Sequence, residues 1–144
     1  MSERIQGIIR VFTLDFRNRI KHLYFTTERV IVVKITKVGG KPYNLINLSY
    51  LQKMKDKEKE LAGLSAEELL KIDQENFAIP MSEIVKVTLR KYRFLRARYI
   101  TVETNYKKYR WQATGIPPEI KVAKFEQFEA ILQPIFADKL IIKK

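Results

Sequence analysis

The sequence predicts an α+β fold that is mostly β: one domain spanning residues 1–144, with an antiparallel sheet that rolls over and is plugged by a C-terminal helix. Three observations predict it. Strand-like runs rich in branched and aromatic residues occupy both ends of the chain, from Ile5 to Ile35 and from Glu83 to Trp111. Between them the apolar period lengthens to that of a helix, at Leu48, Leu51, Met54 and Leu61. A final segment carries Phe125, Phe128, Leu132, Ile135 and Phe136 at helical spacing.

In order, residues 5 to 16 (IQGIIRVFTLDF) read as a strand with apolar residues on both faces, and Arg17, Asn18 and Arg19 as a polar turn. LYFTTERVIVVKI, residues 23 to 35, reads as two strands joined at Thr27-Glu28, and Val38-Gly39-Gly40-Lys41-Pro42 ends the block. Residues 46 to 76 read as a helical hairpin inserted between strands. Gly63 stands where a C-terminal cap belongs, and Ser65 to Glu68 is a capping box with Leu64 stapling onto Leu69. The middle of the first helix, KMKDKEKE, is charged all round. Its small i,i+3 and i,i+4 terms largely cancel, so it depends on its Leu stripe. As a self-capped unit, the hairpin is expected to be removable without loss of the domain.

EIVKVTLRK, residues 83 to 91, alternates Val85, Val87 and Leu89 with Lys86, Thr88 and Arg90. A two-residue turn at Asn105-Tyr106 would pair Thr104 with Lys107. That register puts Ile100, Val102, Tyr109 and Trp111 on one face, and Tyr99, Thr101, Glu103, Lys108 and Arg110 on the other. The last helix runs from about Val122 to Ala137, bent or ended by Pro134, and IIKK follows as a short basic tail.

Charge narrows the function. The net charge of +12 on 144 residues is concentrated in the strand-like parts. Lys86, Arg90, Lys91, Arg93, Arg96, Arg98, Lys107, Lys108 and Arg110 face a single acid, Glu103, in residues 86 to 110. Such a field attracts polyanions, though the same richness in Lys and Ile also suits the surface of a thermophile. No apolar run is long enough for a membrane span, and no signal peptide is evident, so a cytoplasmic protein, peripheral at the membrane if attached there, is expected.

With no cysteine and one histidine, neither thiol chemistry nor a His-rich metal site is expected. No cofactor is expected either. His22 could be drawn into a triad with Ser49, Ser65 or Ser82, but none has the surroundings of a nucleophile, and His22 reads as a solvated strand residue. No phosphate-binding glycine loop is present. A non-enzymatic protein is expected.

Two stretches resemble a known superfamily. LYFTTERV, residues 23 to 30, is similar to "L-x-L-T-x-x-R-L/V". Ile79 to Ile84, followed by Val87 and Leu89, is similar to "I-P-x-S-x-I-x-x-V-x-L". With the ITVET…KYRW hairpin and the FEQFEAIL helix they resemble, in order, the pleckstrin-homology-like domains of the small bacterial and archaeal PH and GRAM type. The resemblance leaves out residues 42 to 76. It implies a PH-like rolled sheet or barrel capped by the last helix, acting as a binding module. It also implies structural work for Thr26, fixing a turn, and for Arg29, bonding carbonyls or a carboxylate. Arg17, Arg19, Lys21 and His22 fall where the inositide-binding members carry basic residues, but the K-x-n-[KR]-x-R pattern is absent.

The candidate anion-binding residues are therefore Arg93, Phe94, Arg96 and Arg98 of the YRFLRAR loop, Arg17, Arg19 and Lys21 of the first turn, and Lys107 and Lys108 of the hairpin. The loop arginines around Phe94 and Leu95 form a wedge for an anionic bilayer or an anchor for a protein partner. The alternatives are a nucleic acid stacked on the hairpin tyrosines, which requires Tyr99 and Tyr106 to be exposed, and self-association into a homo-oligomer through the helical hairpin.

Overall fold

The computed structural model describes residues 3–13, 19–37, 48–92, 97–119 and 121–144. Of residues 36, 37 and 48–51 only the backbone is described. Strands β1 (Ile5–Thr13), β2 (Arg19–Thr26) and β3 (Arg29–Lys37) form an antiparallel meander. Helices α1 (Leu48–Leu61) and α2 (Ala66–Lys71) follow, then β4 (Phe77–Pro80), β5 (Ile84–Lys91), β6 (Arg98–Thr104) and β7 (Lys108–Gly115). Helix α3 (Phe125–Phe136) leads into β8 (Leu140–Lys143). All eight strands join one sheet in the order β4-β3-β2-β1-β7-β6-β5-β8.

The α+β, mostly β class holds, but the sheet is mixed rather than wholly antiparallel. The expected basic tail is β8, an edge strand parallel to β5 that pairs Leu140 with Val87 and Lys143 with Arg90. The chain crosses the inner face as α3 and reaches the edge running in the direction of β5. Helix α3 ends two residues after Pro134, which sits in its last turn.

Period-two alternation sorts the side chains. Ile9, Val11, Leu23, Phe25, Val87, Leu89, Ile100, Val102 and Trp111 face inward and bury Phe125, Phe128, Leu132 and Phe136 of α3. At Gly7, an added Cβ would lie 2.7 Å from Ile131 Cγ2, so only glycine admits the helix this close to β1.

A second apolar layer lies on the outer face of β1–β3. Phe12, Ile20, Tyr24, Ile31, Val33 and Ile35 are buried there with Met54, Leu61 and Leu69 of the helical hairpin. The hairpin's local chemistry is as expected. Gly63 takes φ +83° just after α1, and Ser65 and Glu68 close both arms of the capping box.

The β2–β3 turn is closed by Thr26, whose hydroxyl accepts from the amides of Glu28 (3.1 Å) and Arg29 (2.9 Å). Arg29 grips the Glu3 carboxylate with two nitrogens, each at 2.9 Å, and reaches Glu67 at the start of α2 at 2.7 Å.

Candidate functional site: a basic groove on the outer sheet face

The hairpin of α1 and α2 packs on β3, at the other half of the sheet from β5–β8. Alternation delivers polar side chains to that face. Lys86, Thr88 and Arg90 come from β5, Tyr99, Thr101 and Glu103 from β6, Lys108 and Arg110 from β7, and Lys143 from β8. With Tyr92 they line an open groove of five cations and one carboxylate.

At one end two guanidinium groups converge on one phenol. Arg90 Nη1 donates to Tyr92 Oη at 3.2 Å and Arg110 Nη2 donates to the same oxygen at 2.9 Å. Arg110 also lies over the Tyr99 ring at 4.6 Å, and Tyr92 meets Tyr99 edge to face at 5.2 Å. The bond from Arg90, together with the positive charge of Arg110, holds the Tyr92 phenol below its ordinary pKa. At the other end Glu103 bridges Lys86 (3.2 Å) and Lys108 (4.0 Å) from the two neighbouring strands. The groove thus presents two planar forks and three ammonium groups with a single internal counter-charge. Such an array suits the binding of anions.

The hairpin register is as expected, with Ile100 opposite Trp111, Val102 opposite Tyr109 and Glu103 opposite Lys108. Of the expected anion-binding residues, Lys108 lines the groove, while Lys107 adjoins its hairpin turn with its ammonium 4.9 Å from the Tyr109 ring centroid. Arg98 opens β6 and is half-buried. Arg17, Arg93, Phe94 and Arg96 lie outside the described residues.

The other two candidates already hold partners. Arg19 bonds Glu75 (3.3 Å), and Lys21 lies 5.7 Å from the Phe77 ring centroid. Lys86, Arg90 and Arg110 of the groove come from the basic stretch of residues 86 to 110 without being among the candidate anion-binding residues, and Tyr92 and Lys143 join them. Lys143 ends the short apolar run Leu140-Ile141-Ile142, whose branched residues are the one local sign of a strand three residues after α3.

His22 is corrected more sharply. It is 1% exposed, not solvated, because its side chain points from β2 beneath α1. Its Nε2 lies 3.2 Å from Glu58 Oε1, which also accepts from Arg10 Nη2 at 2.6 Å. Arg10, 4% exposed, donates further to the Glu119 carbonyl at 2.8 Å. Burial raises the Glu58 carboxyl, but the bonds from His22 and Arg10 outweigh it and hold the group below its ordinary range. Burial depresses His22, reinforced by the charge of Arg10 and opposed by Glu58. The Tyr24 phenol, with its ring 5.9 Å from that of His22, is pushed up to about 12 by burial and by Glu58.

This cluster is a tie between β1, β2, α1 and the β7–α3 connection, and it predicts a pH response. A depressed His22 leaves the unfolded chain binding more protons than the folded one below about pH 6.5, so stability falls as pH drops through that value. Denaturant melts between neutral pH and about pH 5 should show this slope, and His22→Gln should flatten it. An unchanged slope in the variant would place the titration elsewhere.

No protein-family model matches the sequence, and none of the curated proteins does. A solved structure of similar fold is the hSac2 domain from human phosphoinositide phosphatase Sac2. It aligns at a TM-score of 0.52 with 9% identity, over 99% of this chain and 78% of that one. The resemblance to pleckstrin-homology-like domains is thereby overturned as an assignment. The residues that carried it do local work that any tight antiparallel hairpin can use: Thr26 closes a turn and Arg29 binds a carboxylate. They identify a hairpin, not a family. At 9% identity the likeness to the hSac2 domain concerns the fold alone.

Proposed function

We propose that this chain is a non-enzymatic binding module that docks an anionic membrane surface through the outer face of β5–β8. The observation that carries this reading is the groove itself. Lys86, Arg90, Lys108, Arg110 and Lys143 share one sheet face with a single acid, Glu103. Each basic side chain near an anionic leaflet contributes about 1 kcal/mol, so five in one face make a usable, salt-sensitive affinity. None of the described helices is long and apolar enough to cross a membrane, and peripheral attachment requires none.

A nucleic acid is the second reading, favoured by Tyr106, which is 90% exposed at the β6–β7 turn. Against it, the Tyr99 ring is already engaged by Arg110 and Tyr92.

The test is co-sedimentation with phosphatidylcholine vesicles with and without phosphatidylserine. A phosphoinositide-containing set is added because the solved domain of similar fold comes from a phosphoinositide phosphatase. Wild type is expected on the anionic vesicles at low salt and released by added salt. Arg90→Glu, Lys108→Glu and Arg110→Glu together should weaken binding at least roughly a hundredfold, with the melting temperature near wild type. Wild type that ignores every anionic vesicle yet shifts single-stranded nucleic acid in a gel establishes the second reading. If it binds neither, the face is a protein contact or a solvated surface.

A further inference from the structure

The β6–β7 turn combines features that the charge of the groove does not explain. Tyr106 is 90% exposed, more than any other large hydrophobic residue among those described. A lone exposed ring is ordinary on a protein surface. Here a second apolar side chain, Val85, is 49% exposed at the same end of the sheet. Val85 falls at an irregularity in the β5–β6 pairing, between the pairs Ile84 with Thr104 and Lys86 with Glu103. The irregularity takes Val85 out of the inward row that Val87 and Leu89 continue.

Lysines adjoin both in the sequence. Lys107 and Lys108 follow Tyr106 directly, and Lys86 follows Val85.

The turn is also held rigid. The Thr104 amide donates to the Lys107 carbonyl (2.9 Å), and the Thr104 hydroxyl accepts from the amides of Tyr106 (3.2 Å) and Lys107 (3.0 Å). A ring presented on such a turn loses little backbone freedom when it enters a new environment. Tyrosine is among the side chains most at home at the headgroup level, where the ring is in apolar surroundings and the hydroxyl stays wet. Lysines beside it keep their ammonium groups with the anionic headgroups while their stems follow the ring.

We propose that the β6–β7 turn anchors the docked protein, with Tyr106 entering the interfacial layer of an anionic bilayer, Val85 following, and Lys86, Lys107 and Lys108 holding the surrounding headgroups. This inference rests on the docking reading and adds a pose to it. The outer face of β5–β8 still lies against the bilayer, with the Tyr106 end of β6 and β7 deepest and Arg90 and Arg110 within reach of the headgroups.

The experiment uses Tyr106→Trp in the full chain with mixed phosphatidylcholine–phosphatidylserine vesicles. The native Trp111 is 5% exposed and supplies a constant background emission. On binding, the introduced indole should shift to the blue, lose its quenching by iodide, and become quenched by lipids brominated near the headgroup end of the acyl chains. Tyr106→Ser should bind the same vesicles roughly fivefold to tenfold more weakly than wild type at unchanged thermal stability, a ratio that persists as salt is raised. Co-sedimentation of Tyr106→Trp with its indole still open to iodide, or wild-type affinity in Tyr106→Ser, overturns the anchor and leaves electrostatic docking standing. Absence of wild-type co-sedimentation overturns the docking reading, and the anchor with it.

Discussion

Glu58→Ala is expected to cost the fold about 3–5 kcal/mol, although Glu58 sits in the most highly charged stretch of the chain. Its carboxylate, with 11% of the side chain exposed, is the counter-charge for Arg10, whose side chain is 5% exposed. Removing it strands a guanidinium that keeps the Glu119 carbonyl as a partner but has lost its only anion among the described contacts. The remainder of α1 cannot compensate. Its surface pairings among described side chains are the modest contacts of Lys57 with Glu60 at 3.6 Å and of Gln52 with Asp56 at 2.8 Å, and its grip on the sheet is Met54 and Leu61.

Urea melts at neutral pH measure the loss. The double variant Arg10→Met with Glu58→Leu should recover most of it, since replacing both partners by apolar groups removes the unpaired charge. A single-variant cost below about 1 kcal/mol would show the pair to be open to water. Removal of residues 46 to 76, which the sequence presents as a detachable insertion, would uncover Phe12, Ile20, Tyr24, Ile31, Val33 and Ile35 as well as Arg10.

Trp111→Ala is expected to cost a similar 3–5 kcal/mol, through a cavity rather than a charge. The indole is 5% exposed, opposite Ile100 across the β6–β7 ladder, and stacked on Tyr109 with ring centroids 5.9 Å apart and an interplanar angle of 10°. It belongs to the layer that holds Phe125, Phe128 and Leu132, so truncation loosens α3 together with the sheet. Chemical denaturation gives the magnitude. Native emission should lie well to the blue of free indole, and ready quenching by iodide in the native state would contradict the burial.

Most strands and helices were legible from their apolar period or from runs of branched and aromatic residues, whereas β8, four residues long, read as a basic tail. In β6 and β7, alternation around a two-residue turn fixes the face of Ile100 and of Arg110 alike, and the structure has that register. The groove was less legible. Its residues are scattered over four strands, and only their order in the sheet brings Lys143 beside Arg90. A contiguous basic stretch such as residues 90 to 98 is conspicuous in the sequence, whereas a patch assembled from alternate positions of β5, β6, β7 and β8 is not. Glu58 was illegible for a different reason. Within KMKDKEKE every residue but Met54 looks like a solvated helix surface, and nothing local marks the one carboxylate that turns inward to meet Arg10 and His22.

Strands β2 and β3 are apolar on both faces, one against α3 and the other against the helical hairpin. In an ordinary half-buried sheet, a slip of one residue carries the oily side into water and is rejected at once. Here a slip of β2 would exchange one oily side for another, and the hydrophobic pattern would barely object. What would object is the polar minority. His22 would leave Glu58, Thr26 would lose the turn amides of Glu28 and Arg29, and Arg29 would lose Glu3. These few groups thus act as the notches of a key: the greasy bulk of the strands supplies affinity in any alignment, and the notches let only one alignment turn.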